Sequence, residues 1–356
     1  MSDFIETVQA RIRAAQASGT PLAIRGGGSK AFLGGEPAGE PLDTRAHAGI
    51  VAYDPSELVL SVRAGTPLAE VEATLAASGQ CLPFEPPHFG ASATVGGCVA
   101  SGLSGPRRPY AGAVRDYLLG VTLIDGRGNT LRFGGQVMKN VAGFDTFRLQ
   151  AGAMGTLGLI AEVSFKVLPA PAADETRVFA MPADAAITTM NRHAGQPLPL
   201  AGAVHHGGRL HLRLAGNPAA VQAAVARLGG EPLPDAAAFW RAIREQTHAF
   251  FAGDAPLWRL AVRPTAPPLV ADADDPLFDE LIDWGGGQRW LRSAMPVEAM
   301  RALAARHGGH ATAHRGVDRS RAFQPPAPAV MALHRRLKAT FDPAGILNRG
   351  RLYPDL

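Results

Sequence analysis

The chain has 356 residues, 46% hydrophobic and 19% charged, with a formal net charge of +4 and two cysteines. That length supports two domains with their own cores, and the apolar-to-charged balance excludes a disordered or collagen-like chain. No Lys/Arg-rich run interleaved with aromatics points to nucleic acid, and no apolar run approaches the roughly 20 residues a membrane-spanning helix needs.

In chain order, Phe4, Ile5, Val8, Ile12 and Ala15 recur at helical spacing and predict a helix over 4–18 with Ser2 as its cap. Asp3 and Glu6, with no basic start or apolar core, do not make a signal peptide. After Gly19 a strand over 22–25 runs into Gly26-Gly27-Gly28-Ser29-Lys30. Strands over 50–53 and 58–62 flank an Asp54-Pro55-Ser56 turn. Thr66 is placed to cap a helix over 67–78, with Pro67 at its first position. A second glycine-rich segment spans 86–97 and ends in Gly96-Gly97. Strands over 118–124 and 130–133 form a hairpin through Asp125-Gly126-Arg127-Gly128. The alternation over 160–168 then meets Pro169 and Pro171, which mark a domain boundary.

Beyond that boundary, strand-like runs at 209–214 and 258–263 alternate with helices such as 219–228, the pattern of an α+β cap. Residues 264–276 are proline-rich and read as a surface connection. Val330, Leu333, Leu337 and Phe341 make an amphipathic run that turns at Asp342-Pro343-Ala344-Gly345. The expected division is therefore 1–170, 171–325 and 326–356.

The two glycine-rich segments carry the chemistry. Successive glycine amides can turn inward around a large anion, and Ser29 and Lys30 add a donor and a positive charge, which suits a pyrophosphate. Taken singly, each is also what an ordinary turn looks like. Neither continues as a Rossmann fingerprint or a Walker loop. Flanking one ligand, the pair would hold a dinucleotide along its length. Cys81 and Cys98 lie outside any C-x-x-C, so the chain lacks the thiolate set of an iron–sulfur cluster. Free thiols are expected rather than a disulfide.

Four landmarks occur in order: Ile24-Arg25-Gly26-Gly27-Gly28-Ser29, Val62-Arg63-Ala64-Gly65-Thr66-Pro67-Leu68, Ala93-Thr94-Val95-Gly96-Gly97 and Gly155-Thr156-Leu157-Gly158-Leu159-Ile160. On these, residues 21–169 resemble the FAD-binding domain of the vanillyl-alcohol oxidase and p-cresol methylhydroxylase (PCMH) superfamily. The phrase Val137–Asp145, with Gly309–Ala313 and Phe341–Asn348, extends the likeness over nearly the whole chain. There it resembles the FAD-binding E subunits of bacterial glycolate oxidase. The fold so implied is α+β: a two-subdomain PCMH-type FAD-binding domain, a cap, and a C-terminal segment returning to the first domain.

The resemblance implies FAD held by Arg25, Gly26, Gly27, Gly28, Ser29 and Lys30 at the diphosphate, and by Pro87, Ser92, Thr94, Gly96, Gly97 and Ser101 along the flavin and diphosphate. Gly155 and the backbone of Ile160 would meet the adenine. Asn348 would reach the flavin pyrimidine edge, with Arg349 standing where the family has proline. No histidine follows the first loop, so noncovalent FAD is favoured; His88 is the residue that leaves a covalent link open. The implied activity is oxidation of glycolate to glyoxylate, with electrons leaving to a second flavoprotein subunit and an iron–sulfur subunit. The complex would be cytoplasmic, peripheral at the inner membrane through its partners.

Two other readings stand beside it: a self-sufficient FAD-dependent D-lactate or other 2-hydroxyacid dehydrogenase, and a non-catalytic flavin-binding scaffold. A small 2-hydroxy acid needs a cation for its carboxylate, and Arg259, Arg263, Arg289 and Arg292 lie in the cap beside Trp258, Trp284 and Trp290. No catalytic base stands out. His205 and His211 could be metal ligands, but strand alternation puts Arg209, His211 and Arg213 on one face, which favours a solvated strand and no metal.

Overall fold

A computed structural model describes residues 2–135, 145–269 and 279–356. The phrase from Val137 to Phe144 and the proline-rich stretch from 270 onward lie outside the described residues. The fold is mixed α and β. Its first sheet is small: Leu22–Arg25 pairs in parallel with Glu40–Asp43, and Leu22 also bridges Leu347. The backbone amide of Leu22 donates to Ile346 at 2.7 Å, and that of Asn348 donates to Leu22 at 2.9 Å. The chain's end is thus zipped onto its beginning. Helix Ser2–Ser18 covers this layer through Val8, Ile12 and Ala15, which bury with Leu22, Leu42, Ile124 and Leu159.

An antiparallel five-stranded sheet follows in the spatial order Ile50–Asp54, Val59–Arg63, Leu159–Lys166, Leu118–Ile124 and Thr130–Gly134. Leu60, Val62, Val163 and Phe165 pack beneath helices Leu68–Ala77 and Val95–Ser101 in one core. Thr66 does not cap the first of these helices. The N-cap is Pro67, without a side-chain cap, and the Thr66 hydroxyl instead donates to the Arg63 carbonyl at 2.7 Å while accepting from the Gly49 amide at 2.8 Å. A turn competes for the hydroxyl and wins because both of its partners are already fixed, Arg63 at the end of the strand Thr66 follows and Gly49 by the bond from the Arg63 amide to its carbonyl.

The second large sheet has eight antiparallel strands, ordered Glu231–Pro232, Ala173–Ala180, Arg209–Gly216, Leu200–His206, Glu280–Asp283, Gln288–Arg292, Leu257–Ala261 and His310–Arg315. Helices Ala183–Ala194, Pro218–Leu228, Ala236–Glu245 and Val297–Arg306 accompany it. One expectation is corrected here. Of the face carrying Arg209, His211 and Arg213, Arg209 at its edge is exposed, but His211 and Arg213 are not solvated, because helix Ala236–Glu245 lies against them. His211 stacks on Phe239 with ring centroids 4.3 Å apart, and Arg213 is held by Glu85 and Asp174, each at 2.6 Å. Since Glu85 precedes the second glycine-rich segment, that ion pair ties the eight-stranded sheet to the first half of the chain.

Helix Pro328–Phe341 leads the chain back. At its end Lys338 pairs with Asp342 at 2.7 Å and donates to the carbonyls of Thr156 and Leu347 at 2.8 and 2.6 Å. Asp342 in turn accepts from the amides of Ile346 and Leu347. This buried, fully bonded pair sets where residues 346–351 meet the strand at 22–25.

Candidate functional site

Between the small sheet, helix Val95–Ser101 and the C-terminal turn lies a cleft of about 1120 Å³, its open mouth included. Of the residues singled out from sequence, Arg25, Gly26, Gly27, Gly28, Ser29, Lys30, Thr94, Gly96, Gly97, Ser101, Gly155, Ile160 and Asn348 line it. Segments more than 300 residues apart in sequence therefore converge on one wall.

Close approach explains the glycines. A Cβ on Gly27 would sit 1.4 Å from the Ser92 carbonyl oxygen, so the two glycine-rich segments touch backbone to backbone. Gly155 adopts φ +74°, and a Cβ there would meet the Asn348 amide nitrogen at 2.5 Å. Asn348 is the hub of this contact. Its Oδ1 accepts from the Ile24 amide at 2.6 Å and its Nδ2 donates to the Met154 carbonyl at 2.6 Å. The side chain thus locks the end of the strand at 22–25 to the 152–158 loop. Thr94 caps helix Val95–Ser101 by accepting from the Gly97 amide, leaving its hydroxyl proton for a ligand.

The cleft is cationic. Lys30 is buried, its ammonium within reach of the Ser29 hydroxyl and the His88 carbonyl at 3.3 and 3.2 Å. Burial lowers its pKa, opposed by Cys98 and Glu245. Two further cations line the same wall and were not found from sequence: Arg319 and Arg351. Arg351 donates to the carbonyls of Lys30, Ala31 and Gly35, and burial followed by repulsion from Arg319 draws its pKa down to about 10. Against Arg25, Lys30, Arg319 and Arg351 the described lining residues include one carboxylate, Glu36. Arg351 was legible three positions past Asn348; Arg319 had no local signal.

Ser92 and Pro87 stand apart. Ser92 is exposed, meeting Gly27 from behind. Pro87 lines a second, smaller cavity of about 350 Å³, open mouth included, with Phe89, Gln246, Arg259, Asp283, Gln288, Trp290 and His314. His88 points to neither: its Nε2 lies 3.0 Å from Glu72. The two cavities are neighbours, since Lys30 of the first lies 5.7 Å over the Phe89 ring of the second. Glu245, the last residue of helix Ala236–Glu245, accepts from the amides of His88 and Phe89 at 3.0 and 2.7 Å and fixes this segment. Of the four cap arginines, Arg259 alone lines either of these two cavities. Arg289 is fully buried against Glu280 and the carbonyls of Gly286 and Ala266. Cys81 and Cys98 are free thiols.

A glycine-walled cleft with four cations, shared by residues 24–31 and the C-terminal turn, suits a large anionic ligand. Residues 4–134 match an FAD binding domain, and residues 274–352 match the C-terminal domain of FAD linked oxidases. Glycolate oxidase subunit GlcE of Escherichia coli (strain K12) is 44% identical over 99% of this chain and 99% of its own. The chain belongs to that family. A D-lactate dehydrogenase of Anaerostipes hadrus is 34% identical over 34% of this chain and 25% of its own. Glycolate oxidase subunit GlcD of Bacillus subtilis (strain 168) is 32% identical over 36% of this chain and 27% of its own. The fold is shared with alkyldihydroxyacetonephosphate synthase, with a TM-score of 0.69 and 17% identity over 96% of this chain and 74% of that one.

Proposed function

We propose that this chain is the FAD-binding subunit of a glycolate oxidase complex, oxidising glycolate to glyoxylate and passing electrons to a second flavoprotein subunit and an iron–sulfur subunit. The end-to-end match to a glycolate oxidase subunit carries this reading. The D-lactate dehydrogenase match, covering a quarter of that enzyme, supports a self-sufficient dehydrogenase much less. Residues 1–170 would be the FAD-binding domain, 171–325 the cap and 326–356 the return segment.

The residues present fit FAD. The first glycine loop offers amides to a diphosphate, and Arg25, Lys30, Arg319 and Arg351 supply charge that Glu36 alone does not cancel. Gly96, Gly97, Thr94 and Ser101 would run along the cofactor, and Gly155 and Ile160 would meet the adenine. Asn348 would hold its walls together. FAD, when bound, accepts a hydride from the substrate carbon. What the protein adds is position and the exclusion of water by the Phe32, Phe89 and Leu103 side chains beside the cleft. His88 being turned to Glu72 supports noncovalent attachment. No helix among the described residues is long and apolar enough to cross a membrane, so contact with the inner membrane would come through the partners.

The test is to co-express the chain with its partner subunits, purify the complex and measure FAD content and glycolate-dependent dye reduction with and without this chain. A complex that oxidises glycolate equally well without it would remove the catalytic reading and leave a scaffold.

A further inference from the structure

The second cavity has a chemistry that the FAD cleft does not use. Arg259 enters it from strand Leu257–Ala261, its Nε donating to Gln288 Oε1 at 2.5 Å and its guanidinium 4.9 Å from the Trp284 ring centre. No carboxylate forms an ion pair with Arg259 among the described residues, and the negative charge that acts on it across the cavity is Asp283. The carboxyl in the cavity, Asp283, is buried and committed elsewhere: it accepts from the Trp284 amide at 2.6 Å and from Gln288 Nε2 at 3.1 Å. Burial also pushes its pKa up to about 7, which weakens its charge as a partner for Arg259. The other lining cation, Arg244, is already matched by Glu245 at 2.8 Å and Glu72 at 3.8 Å.

Across the cavity stands His314, 1% exposed, with its Nε2 3.0 Å from Gln246 Oε1. That bond places the ring proton on Nε2 and leaves Nδ1 as a buried acceptor with no hydrogen-bond partner among the described residues. Burial holds the ring well below its ordinary pKa, so it is neutral. Rings of Phe32 and Trp290 close in at 5.1 and 4.9 Å. An unmatched guanidinium and an unmatched imidazole acceptor thus share a small aromatic-walled space. Leaving either unsatisfied is costly, and one ligand with both a carboxylate and a hydroxyl satisfies both.

We propose that this cavity is a small-acid site in which Arg259 binds the carboxylate and His314 Nδ1 accepts the hydroxyl of a short 2-hydroxy acid. Resting on the proposed function, the site assigns substrate recognition to residues of the cap.

The purified FAD-loaded chain is titrated with glycolate by calorimetry, beside Arg259→Gln, Arg259→Lys and His314→Gln, with FAD content and melting temperature recorded for each. A charge-assisted contact of about 1.5–3 kcal/mol predicts Kd weakened roughly 10- to 150-fold in Arg259→Gln, with partial recovery in Arg259→Lys and retained FAD. His314→Gln should weaken glycolate binding while leaving the affinity for acetate, which lacks the hydroxyl, unchanged. Glycolate affinity equal to wild type in folded Arg259→Gln overturns the site even where the complex oxidises glycolate. A complex that oxidises no glycolate, combined with Arg259-dependent binding, leaves the site standing and removes the proposed function. No glycolate binding to the wild-type chain overturns the site.

Discussion

The sharpest handle on the cleft is Gly27. In Gly27→Ala the new methyl would lie 1.4 Å from the Ser92 carbonyl oxygen, whereas ordinary contact begins near 3.4 Å. One glycine-rich segment must therefore retreat by about 2 Å from the other. Neither can do so cheaply. Residues 26–30 hang from a strand paired on both edges, and the Glu245 carboxylate holds His88 and Phe89 by their amides. Overpacking of this kind costs about 1–3 kcal/mol, and here the displaced backbone is the cleft wall itself. Gly28→Ala is the control: its φ is +74°, but a Cβ there meets nothing within 4 Å, so it carries only the left-handed strain of roughly 1 kcal/mol. Both variants are purified and titrated with FAD by fluorescence quenching. Gly27→Ala should bind FAD at least 10-fold more weakly than Gly28→Ala. Equal affinities for the two variants would refute the reasoning.

Lys30→Met should weaken FAD binding by roughly 10- to 100-fold, the worth of one charge-assisted contact, and flatten its dependence on salt; an unchanged salt slope would take Lys30 out of the diphosphate site. Asn348→Ala strands the Ile24 amide and the Met154 carbonyl, at about 1–3 kcal/mol each, so both melting temperature and FAD affinity should fall, whereas a loss of affinity alone would mean that the side chain serves only the ligand. Asp283 holds its proton to about pH 7 when folded against 3.8 otherwise, so the fold binds more protons than the unfolded chain between those values and this residue's contribution to stability declines as pH rises from about 4 to 7. His314 acts in the opposite sense, favouring the fold above its ordinary pKa of 6.5 and less so below it. Asp283→Asn removes the first effect, so its melting temperature should drop relative to wild type on going from pH 7.5 to 5; superimposed pH profiles would contradict a buried, protonated Asp283.

The cofactor-facing half of the molecule was legible in the sequence because its signals are local. Glycines that permit close approach and the alternation along 160–168 each act on neighbours within a few residues. The strand at 22–25 and the hairpin strand at 118–124 fall at the predicted bounds for the same reason. What failed was set by distant partners. The alternation at 209–214 is real, but which face meets water was decided by Phe239 and by Glu85, more than 100 residues away from Arg213. Thr66 has the composition of a cap and the surroundings of a turn. Arg319 reaches the cleft only because it binds the carbonyls of residues 31–35 from the far end of the chain.

The same distinction separates the two cavities. The cleft is built by segments whose sequence must be glycine or small polar, so its composition betrays it. The second cavity is assembled from the end of one helix (Gln246), four different strands of the eight-stranded sheet (Arg259, Asp283, Gln288 and His314) and a loop before helix Val95–Ser101 (Phe89). None of these residues is unusual where it stands, and no spacing connects them. They become a site only because the sheet lays Arg259 and Gln288 on adjacent antiparallel strands and because Glu245, one residue before Gln246, grips the segment that carries Phe89. Cofactor binding is thus written into local sequence, while substrate recognition is a property of how the cap meets the cofactor-binding half. A cap strand can therefore change its acid specificity without disturbing any of the glycine landmarks.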